Sequence, residues 1–245
     1  MRHWLRLIAV LVCVGMATAS VVFFGAYQAT QSVPTFYEAA LQTEPNAHEE
    51  AGNELERQVL ELHNEVLRKG TWQATFTDAQ INGWLAADLP VKFPNTLPPD
   101  VDAPRVAIQE NLVQVACRYH GPQMKTVISL AASIYLTDEP NVVAIRVNRA
   151  YAGAMPVPLA AFLDDVSQKA HESEIELRWT QIGDDPVALV KIPTVHEDYA
   201  HGEVHIRTVE LRDGEVYLSG NTDAQEVAGT ATALLLSQDE NSARQ

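Results

Sequence analysis

The densest group of side chains that could bind a metal or transfer a proton lies between residues 196 and 205. It comprises three histidines and three carboxylates: His196, His201, His205, Glu197, Asp198 and Glu203. Imidazole and carboxylate groups are good zinc ligands, so this segment raises the hypothesis of a metal-dependent hydrolase. The zinc-protease motif, however, needs two histidines four residues apart on one helix. Here His196 and His201 are five apart, and Gly202 would interrupt a helix.

If this segment forms a strand instead, His201, Glu203 and His205 point to the same side of the sheet and form a weak metal site. A solvated loop that leads into an edge strand is the preferred interpretation. We therefore predict a protein that is not an enzyme, with no catalytic residue and no cofactor. His201 and His205 remain the only weak candidates for metal ligands.

Two pairs of adjacent carboxylates, Asp164-Asp165 and Asp184-Asp185, offer no better acid–base site. Neighbouring side chains on a helix diverge by about 100°, and the second pair falls in a predicted turn, where aspartate is common. The chain contains no G-x-S-x-G motif, no P-loop and no G-x-G-x-x-G fingerprint. Cys117 alternates with apolar residues in a predicted strand, which indicates a buried and unreactive thiol.

One predicted strand, Thr126 to Leu136, has an apolar face and a face of small side chains, so neither face needs much contact with water. The apolar face carries Ile128, Leu130, Ala132, Ile134 and Leu136, and the other face carries Ser129, Ala131 and Ser133. A curved antiparallel sheet of such strands can enclose a hydrophobic groove. Trp84, Ile128, Leu130 and Ile134 are the candidate groove residues. The alternative is an ordinary core of sheet packed on helix, with no cavity.

The elements that would position these residues predict an α+β fold. Residues 33–42, 47–69 and 159–172 are predicted to be helical, and Thr77-Asp78-Ala79-Gln80 is a capping-box start for another helix. Five prolines between Pro90 and Pro104 predict an extended loop. Consecutive strands with short turns then predict an antiparallel meander, followed by hairpins around Gly183 and Gly214. The predicted architecture is an N-terminal transmembrane helix followed by a curved antiparallel sheet packed on amphipathic helices.

The N-terminus contains a run without charge, residues 7–27, that is long enough to cross a hydrocarbon core of about 30 Å as a helix. Arg2 and Arg6 precede it, and the next basic residue is Arg57, so the positive-inside rule places residues 1–6 in the cytoplasm. A cleaved signal peptide with Ala17-Thr18-Ala19 as its cleavage site is the alternative. Both interpretations place the rest of the protein outside the cytoplasm, and the retained anchor predicts a single-pass protein of the bacterial cell membrane.

The charge of the 245-residue chain is unevenly distributed. The formal net charge is −15, from 17 Lys and Arg against 32 Asp and Glu, and −8 of it lies in residues 28–102 and −7 in residues 194–245. This acidity excludes a direct role in nucleic-acid binding, which needs a basic face. We predict four parts: a cytoplasmic stub and anchor (1–27), a helical membrane-proximal segment (28–70), an extracytoplasmic α+β domain (71–222) and a C-terminal tail (223–245).

Three short motifs occur together in a recognisable order. An uncharged anchor precedes Phe76-Thr77-Asp78-Ala79-Gln80-Ile81-Asn82-Gly83-Trp84-Leu85; then come Ala152-Gly153-Ala154-Met155-Pro156-Val157-Pro158 and Ile192-Pro193. This order resembles the YpmS-like family of uncharacterised, membrane-anchored bacterial proteins, over roughly residues 1–220. The helix opening at Ile81-Asn82 is more weakly similar to periplasmic proteins with a tubular lipid-binding fold. The resemblance implies no activity and no catalytic residues. The position of Asn82 on the first turns of a helix predicts a structural role, bonding to the sheet that follows.

The absence of a catalytic constellation favours a non-enzymatic protein that binds an apolar, lipid-like ligand or a partner protein at the membrane surface. The alternative is a scaffold or assembly factor of an envelope complex, with the acidic helix Ala47–Lys69 as its docking face. The metal-dependent hydrolase of His196, His201 and His205 is the third hypothesis. The expected partners are thus the membrane, through residues 7–27, and either a lipid or an envelope protein.

Overall fold

The computed structural model describes residues 32–122, 124–157, 160–172, 174–194 and 202–223. This part of the chain contains two antiparallel sheets and a small number of helices, so the predicted α+β class is confirmed. The predicted anchor at residues 7–27 and its cleaved alternative lie outside the described residues, as does most of the tail after residue 223. Among the residues that are described, none of the helices has the length and apolar character needed to span a membrane.

The helices agree closely with the sequence periodicity. They are α1 (Thr35–Leu41), α2 (Pro45–Val66), α3 (Asp78–Ala87), α4 (Leu89–Lys92) and α5 (Ala160–Glu172). Pro34 lies directly before α1 and Pro45 occupies the first turn of α2, where the missing proline N–H has no helical partner to lose. The predicted capping box of α3 is confirmed. The backbone N–H of Gln80 donates to Thr77 Oγ1 at 3.2 Å, and the side-chain Oε1 of Gln80 accepts from the backbone N–H of Thr77 at 2.8 Å.

Within the described ranges, ten strands form the two sheets. They are β1 (Gly70–Thr77), β2 (Val101–Gln109), β3 (Leu112–His120), β4 (Lys125–Leu136), β5 (Val142–Ala152), β6 (Met155–Pro156), β7 (Glu176–Ile182), β8 (Asp185–Lys191), β9 (Val204–Arg212) and β10 (Glu215–Thr222). The large sheet has the order β2-β3-β4-β5-β8-β7, with β6 paired to β5, and the small sheet has the order β1-β10-β9. The predicted meander and both predicted hairpins are therefore confirmed.

The predicted proline-rich loop is only partly a loop. Residues 89–92 form the short helix α4, and β2 already begins at Val101, before the last proline of the segment. Pro104 is tolerated because β2 is the edge strand of the large sheet and its pairing with β3 is interrupted between Asp102 and Arg105. Ala103 has a φ of +48° within this irregularity. The first residues of β2 therefore do not alternate regularly between apolar and polar, and the sequence pattern could not predict that the strand begins at Val101.

A bulge at Asn148 keeps the apolar face of the large sheet continuous. Ala131 pairs with Arg149, but the next residue of β4, Ala132, pairs with Val147, so Asn148 is the extra residue of β5. Ser133 donates its backbone N–H to Asn148 Oδ1 at 3.1 Å. One extra residue reverses the alternation of side chains along β5, so Val147 and Ala150 lie on the same apolar face of the sheet although they are three residues apart.

The small sheet buries one face and exposes the other. Trp72, Phe76 and Leu211 are buried on the inner face, whereas the outer face is polar. On that outer face the Tyr217 hydroxyl donates to Gln73 Oε1 at 3.0 Å, and the Arg212 guanidinium lies 4.5 Å from the centre of the Tyr217 ring. This clean alternation is what an antiparallel sheet with one solvated face requires.

Two asparagines join the helices and sheets through backbone hydrogen bonds. Asn82 of α3 donates to the Val106 carbonyl and accepts from the Val106 N–H, both at 2.7 Å. Its side chain thus binds the backbone groups on the side of β2 that no other strand of the large sheet covers. The predicted bond from Asn82 to the following sheet is thereby confirmed. Asn141 does the same for β9, donating to the Val204 carbonyl at 2.6 Å and accepting from the Ile206 N–H at 2.8 Å.

Helices α2 and α3 are packed so closely that their backbones touch. A Cβ atom added at Gly83 would lie 2.6 Å from the Gly52 nitrogen and 2.6 Å from the His48 carbonyl oxygen. Only glycine allows this approach. The end of α2 is tied to the small sheet, since Thr222 Oγ1 donates to the Val66 carbonyl at 2.8 Å.

Candidate functional site

A cavity of about 440 Å³ lies between α3, the proline-rich segment and the first strand of the large sheet. We call it the proline-loop cavity. Most of its lining is apolar, and three charged side chains complete it: Leu85, Ala86, Leu89, Pro90, Phe93, Pro94, Leu97, Pro98, Pro99, Val101, Asp102, Ala103, Pro104, Arg105 and Arg118. An apolar cavity with few polar groups is the usual form of a small-molecule site.

The wall formed by the proline-rich segment is held by two contacts. The rings of Trp84 and Phe93 meet with their centres 5.8 Å apart and their planes tilted by 47°. Lys92 forms ion pairs with Asp88, at 2.8 Å, and with Glu56 of α2. Prolines fix φ along the segment, which lowers the entropy that ordering the wall would cost. The wall is therefore anchored to α2 and α3 even though it contains little regular structure.

The outer side of this wall exposes apolar surface. Val91 is 77% exposed and Phe93, which also lines the cavity, is 51% exposed. Leu89, in contrast, is buried and 6% exposed. The short helix α4 thus turns Leu89 inward and leaves Val91 exposed, and Phe93, directly after α4, is a half-exposed part of the cavity lining.

The charged side of the cavity contains one buried guanidinium. Arg105 is only 7% exposed, its Nη1 donates to the Pro104 carbonyl at 2.7 Å, and its Nε is buried with no hydrogen-bond acceptor. Arg118 is half-exposed and its Nε lies 3.1 Å from Asp102 Oδ1. The other oxygen of Asp102 lies 2.8 Å from His120 Nε2. Asp102 is thus paired with Arg118 and His120.

The titratable groups near Arg105 do not neutralise it. Burial lowers the pKa of Arg105 itself and raises the pKa of Tyr37, whose hydroxyl donates to the Ala103 carbonyl at 2.8 Å. Burial, and then the charge of Arg105, lower the pKa of His48, which favours its neutral form. Asp102 lines the same cavity but is paired with Arg118 and His120, so among the described residues the Arg105 guanidinium forms no ion pair with a carboxylate.

The four candidate groove residues lie in two places. Ile128, Leu130 and Ile134 share one face of β4, as the register with β3 and β5 shows. Trp84 lies on α3, where its Nε1 donates to Glu56 Oε1 at 3.1 Å and its ring contacts Phe93 of the proline-loop cavity. A separate cavity of about 450 Å³ has Leu130 in its lining, together with Phe36, Ser129 and Ala131.

The histidine cluster is only partly described, since His196 and His201 lie outside the described residues. His205 belongs to β9, and its Nε2 lies 3.7 Å from a Glu203 oxygen and 3.8 Å from an Asp223 oxygen. Within the described ranges, no group of three or more His, Cys, Asp and Glu side chains is arranged to hold a metal ion.

The remaining candidates have structural roles. Gly183 and Asp184 form the turn between β7 and β8, with a φ of +63° at Gly183. The turn interpretation is therefore confirmed for Asp184, whereas Asp185 is the first residue of β8. Asp185 accepts a hydrogen bond from Arg146 Nε at 2.8 Å. Cys117 is half-buried rather than buried as predicted, because the buried residue of this part of β3 is its neighbour Ala116. Desolvation still raises the pKa of the Cys117 thiol, which disfavours the reactive thiolate.

Sequence reasoning did not single out Arg105. The signal was present, because Arg105 directly follows the last of five prolines and begins an otherwise apolar stretch, Val106-Ala107-Ile108. A lone arginine at such a position is compatible with an exposed edge strand as well as with a buried site. Only the packing of α3 and the proline-rich segment over β2 distinguishes the two.

Comparison with known proteins adds no relative, since no protein-family model, no curated protein and no solved structure matches this chain.

Proposed function

We propose that the protein is a membrane-tethered, non-enzymatic module on the outer side of a bacterial cell membrane, which binds an apolar, lipid-like ligand in the proline-loop cavity. The observation that carries this proposal is the mainly apolar lining of a cavity of about 440 Å³. Sites for small molecules typically measure about 300–1,000 Å³ and have this composition. Phe93, which lines the cavity and is 51% exposed, gives an apolar ligand a surface to contact before it enters.

The tether belongs to the same proposal. In this proposal the uncharged run at residues 7–27 anchors the chain in the membrane, with the basic residues 1–6 on the cytoplasmic side and the antiparallel sheets and amphipathic helices outside. The strong negative charge of residues 28–102 would keep the domain from lying flat on an anionic membrane surface. A ligand that is taken up into a cavity is consistent with that charge, whereas adsorption of the whole domain is not.

Native mass spectrometry of the full-length chain, extracted from membranes without detergent, tests the proposal. We expect added lipid to produce a bound species. In the Ala86→Phe variant, the larger side chain occupies part of the cavity that Ala86 lines, so the bound species should decrease. Ala87→Phe is the matched control, because Ala87 is the next residue of α3 and does not line the cavity. An unliganded mass throughout, with no uptake of added lipid, would reject the proposal.

A scaffold function is the second candidate, and one observation favours it. The apolar residues Val59 and Leu60 of α2 are 50% and 60% exposed, next to the ion pairs that Arg57 forms with Glu54 and Glu61. Crosslinking in intact cells should then capture a reproducible envelope protein. Changing Glu54, Glu61 and Glu65 to Gln should abolish that product if α2 is the docking face.

A further inference from the structure

We propose that Arg105 binds the anionic head group of an amphiphile, a carboxylate or a phosphate, whose hydrocarbon part fills the apolar remainder of the proline-loop cavity. This inference rests on the proposed function and specifies the class of ligand. It assigns Arg105 a binding role, because the guanidinium would contact the ligand directly.

The first argument is the missing counter-charge. Burying a charge is strongly unfavourable unless the charge is paired and hydrogen-bonded. Arg105 is more than nine-tenths buried, and in the described part of the chain its only hydrogen bond runs to the Pro104 carbonyl. The carboxylate of Asp102 lines the same cavity but is held by Arg118 and His120. An anionic ligand would provide the pairing that the protein does not.

The second argument is the geometry of the group. A guanidinium has five donors in a planar fork that matches the oxygens of a carboxylate or phosphate. One donor, Nη1, is used by Pro104, whereas Nε is buried and lacks an acceptor. The Arg105 guanidinium therefore has further N–H groups that could donate hydrogen bonds to a ligand in the cavity.

The third argument concerns the rest of the ligand. Apart from Asp102, Arg105 and Arg118, the cavity is lined by apolar side chains, with Leu85, Phe93 and Leu97 facing the same space. A free inorganic anion would leave this surface without a partner, and a fully apolar ligand would leave Arg105 unpaired. An amphiphile satisfies both parts of the cavity at once.

Photocrosslinking distinguishes these ligands. The full-length chain is reconstituted in phosphatidylcholine nanodiscs and exposed to an alkyl carboxylate that carries a diazirine in its chain, or to the corresponding alcohol. We expect the carboxylate to label residues 85–104. In Arg105→Met the concentration for half-maximal labelling should rise about 10- to 100-fold, as expected for the loss of a charge-assisted hydrogen bond. The alcohol should label both proteins equally and weakly.

Arg178→Met is the matched control, because Arg178 is exposed, pairs with Glu139 and belongs to β7, at the opposite edge of the large sheet from β2. Its labelling should equal that of the wild type. Should Arg105→Met fail to fold, the comparison of carboxylate and alcohol on the wild-type protein still decides the matter.

Three results would overturn the inference, and they differ in what they leave standing. If carboxylate and alcohol label the cavity equally, and Arg105→Met does not change this, the proposed head-group site is wrong and the proposed apolar site stands. Loss of labelling in millimolar inorganic phosphate would indicate a site for a free anion. An absence of label in residues 85–104 with either probe would reject both the head-group site and the proposed function.

Discussion

Replacing Asn82 by alanine tests whether one side chain holds α3 against the edge of the large sheet. Asn82 is 7% exposed and forms two hydrogen bonds of 2.7 Å with the backbone of Val106. Each buried backbone group that loses its partner costs about 1–3 kcal/mol. The half-buried position of Val106 places both groups at the lower end of that range, so the two losses together cost about 2–4 kcal/mol.

Alanine recovers part of this loss, because it is a better helix former than asparagine by up to about 0.7 kcal/mol. We therefore expect Asn82→Ala to lower the free energy of unfolding by about 1.5–3 kcal/mol, measured by urea denaturation of the full-length chain in nanodiscs with tryptophan fluorescence as the signal. Asn53→Ala is the matched control. It makes the same substitution at an exposed position of α2, and it should leave stability unchanged or slightly higher.

A third variant separates hydrogen bonding from packing. Asn82→Asp keeps the shape of the side chain and an acceptor for the Val106 N–H, but it places a carboxylate oxygen opposite the Val106 carbonyl. We expect this variant to be at least as unstable at pH 7 as Asn82→Ala. If Asn82→Asp behaves like the wild type, or if Asn82→Ala unfolds at the same urea concentration as Asn53→Ala, the argument about the free edge of β2 is wrong.

Three further predictions follow from the same packing. Gly83→Ala should lower the free energy of unfolding by about 1–3 kcal/mol, because the new Cβ meets backbone atoms of α2. In thermal denaturation Gly52→Ala should lower stability less than Gly83→Ala does, because its nearest neighbour is the Asp88 side chain. The pKa of His48 is lowered in the folded protein from the ordinary histidine value of 6.5, so the unfolded chain binds more protons and stability should fall as the pH drops below about 6.5. His48→Asn should remove that part of the pH dependence of the urea midpoint, and an unchanged dependence would contradict this prediction. The raised pKa and partial burial of the Cys117 thiol predict slow alkylation by iodoacetamide at pH 7.5 in the folded chain and rapid alkylation in urea, whereas equal rates would contradict burial.

Local patterns along the chain determined most of the secondary structure. The capping box at Thr77, the hairpin turns at Gly183 and Gly214 and the alternation of β4 depend on residues close in sequence, so their physics is visible without the fold. The start of β2 was not visible in this way. Its first residues, Val101 to Pro104, are held by Tyr37 and by an interrupted register, which involve residues far apart in the chain.

The candidate site shows the same division. The sequence by itself determined that an apolar strand, a proline-rich segment and a tryptophan-bearing helix are present, because composition and periodicity are local properties. It did not determine that Trp84 meets Phe93 rather than Ile128, or that Arg105 is buried without a carboxylate. Burial and pairing are decided only when α3, the proline-rich segment and β2 close around one space, because the energy of a charge depends on what surrounds it and not on its neighbours in sequence.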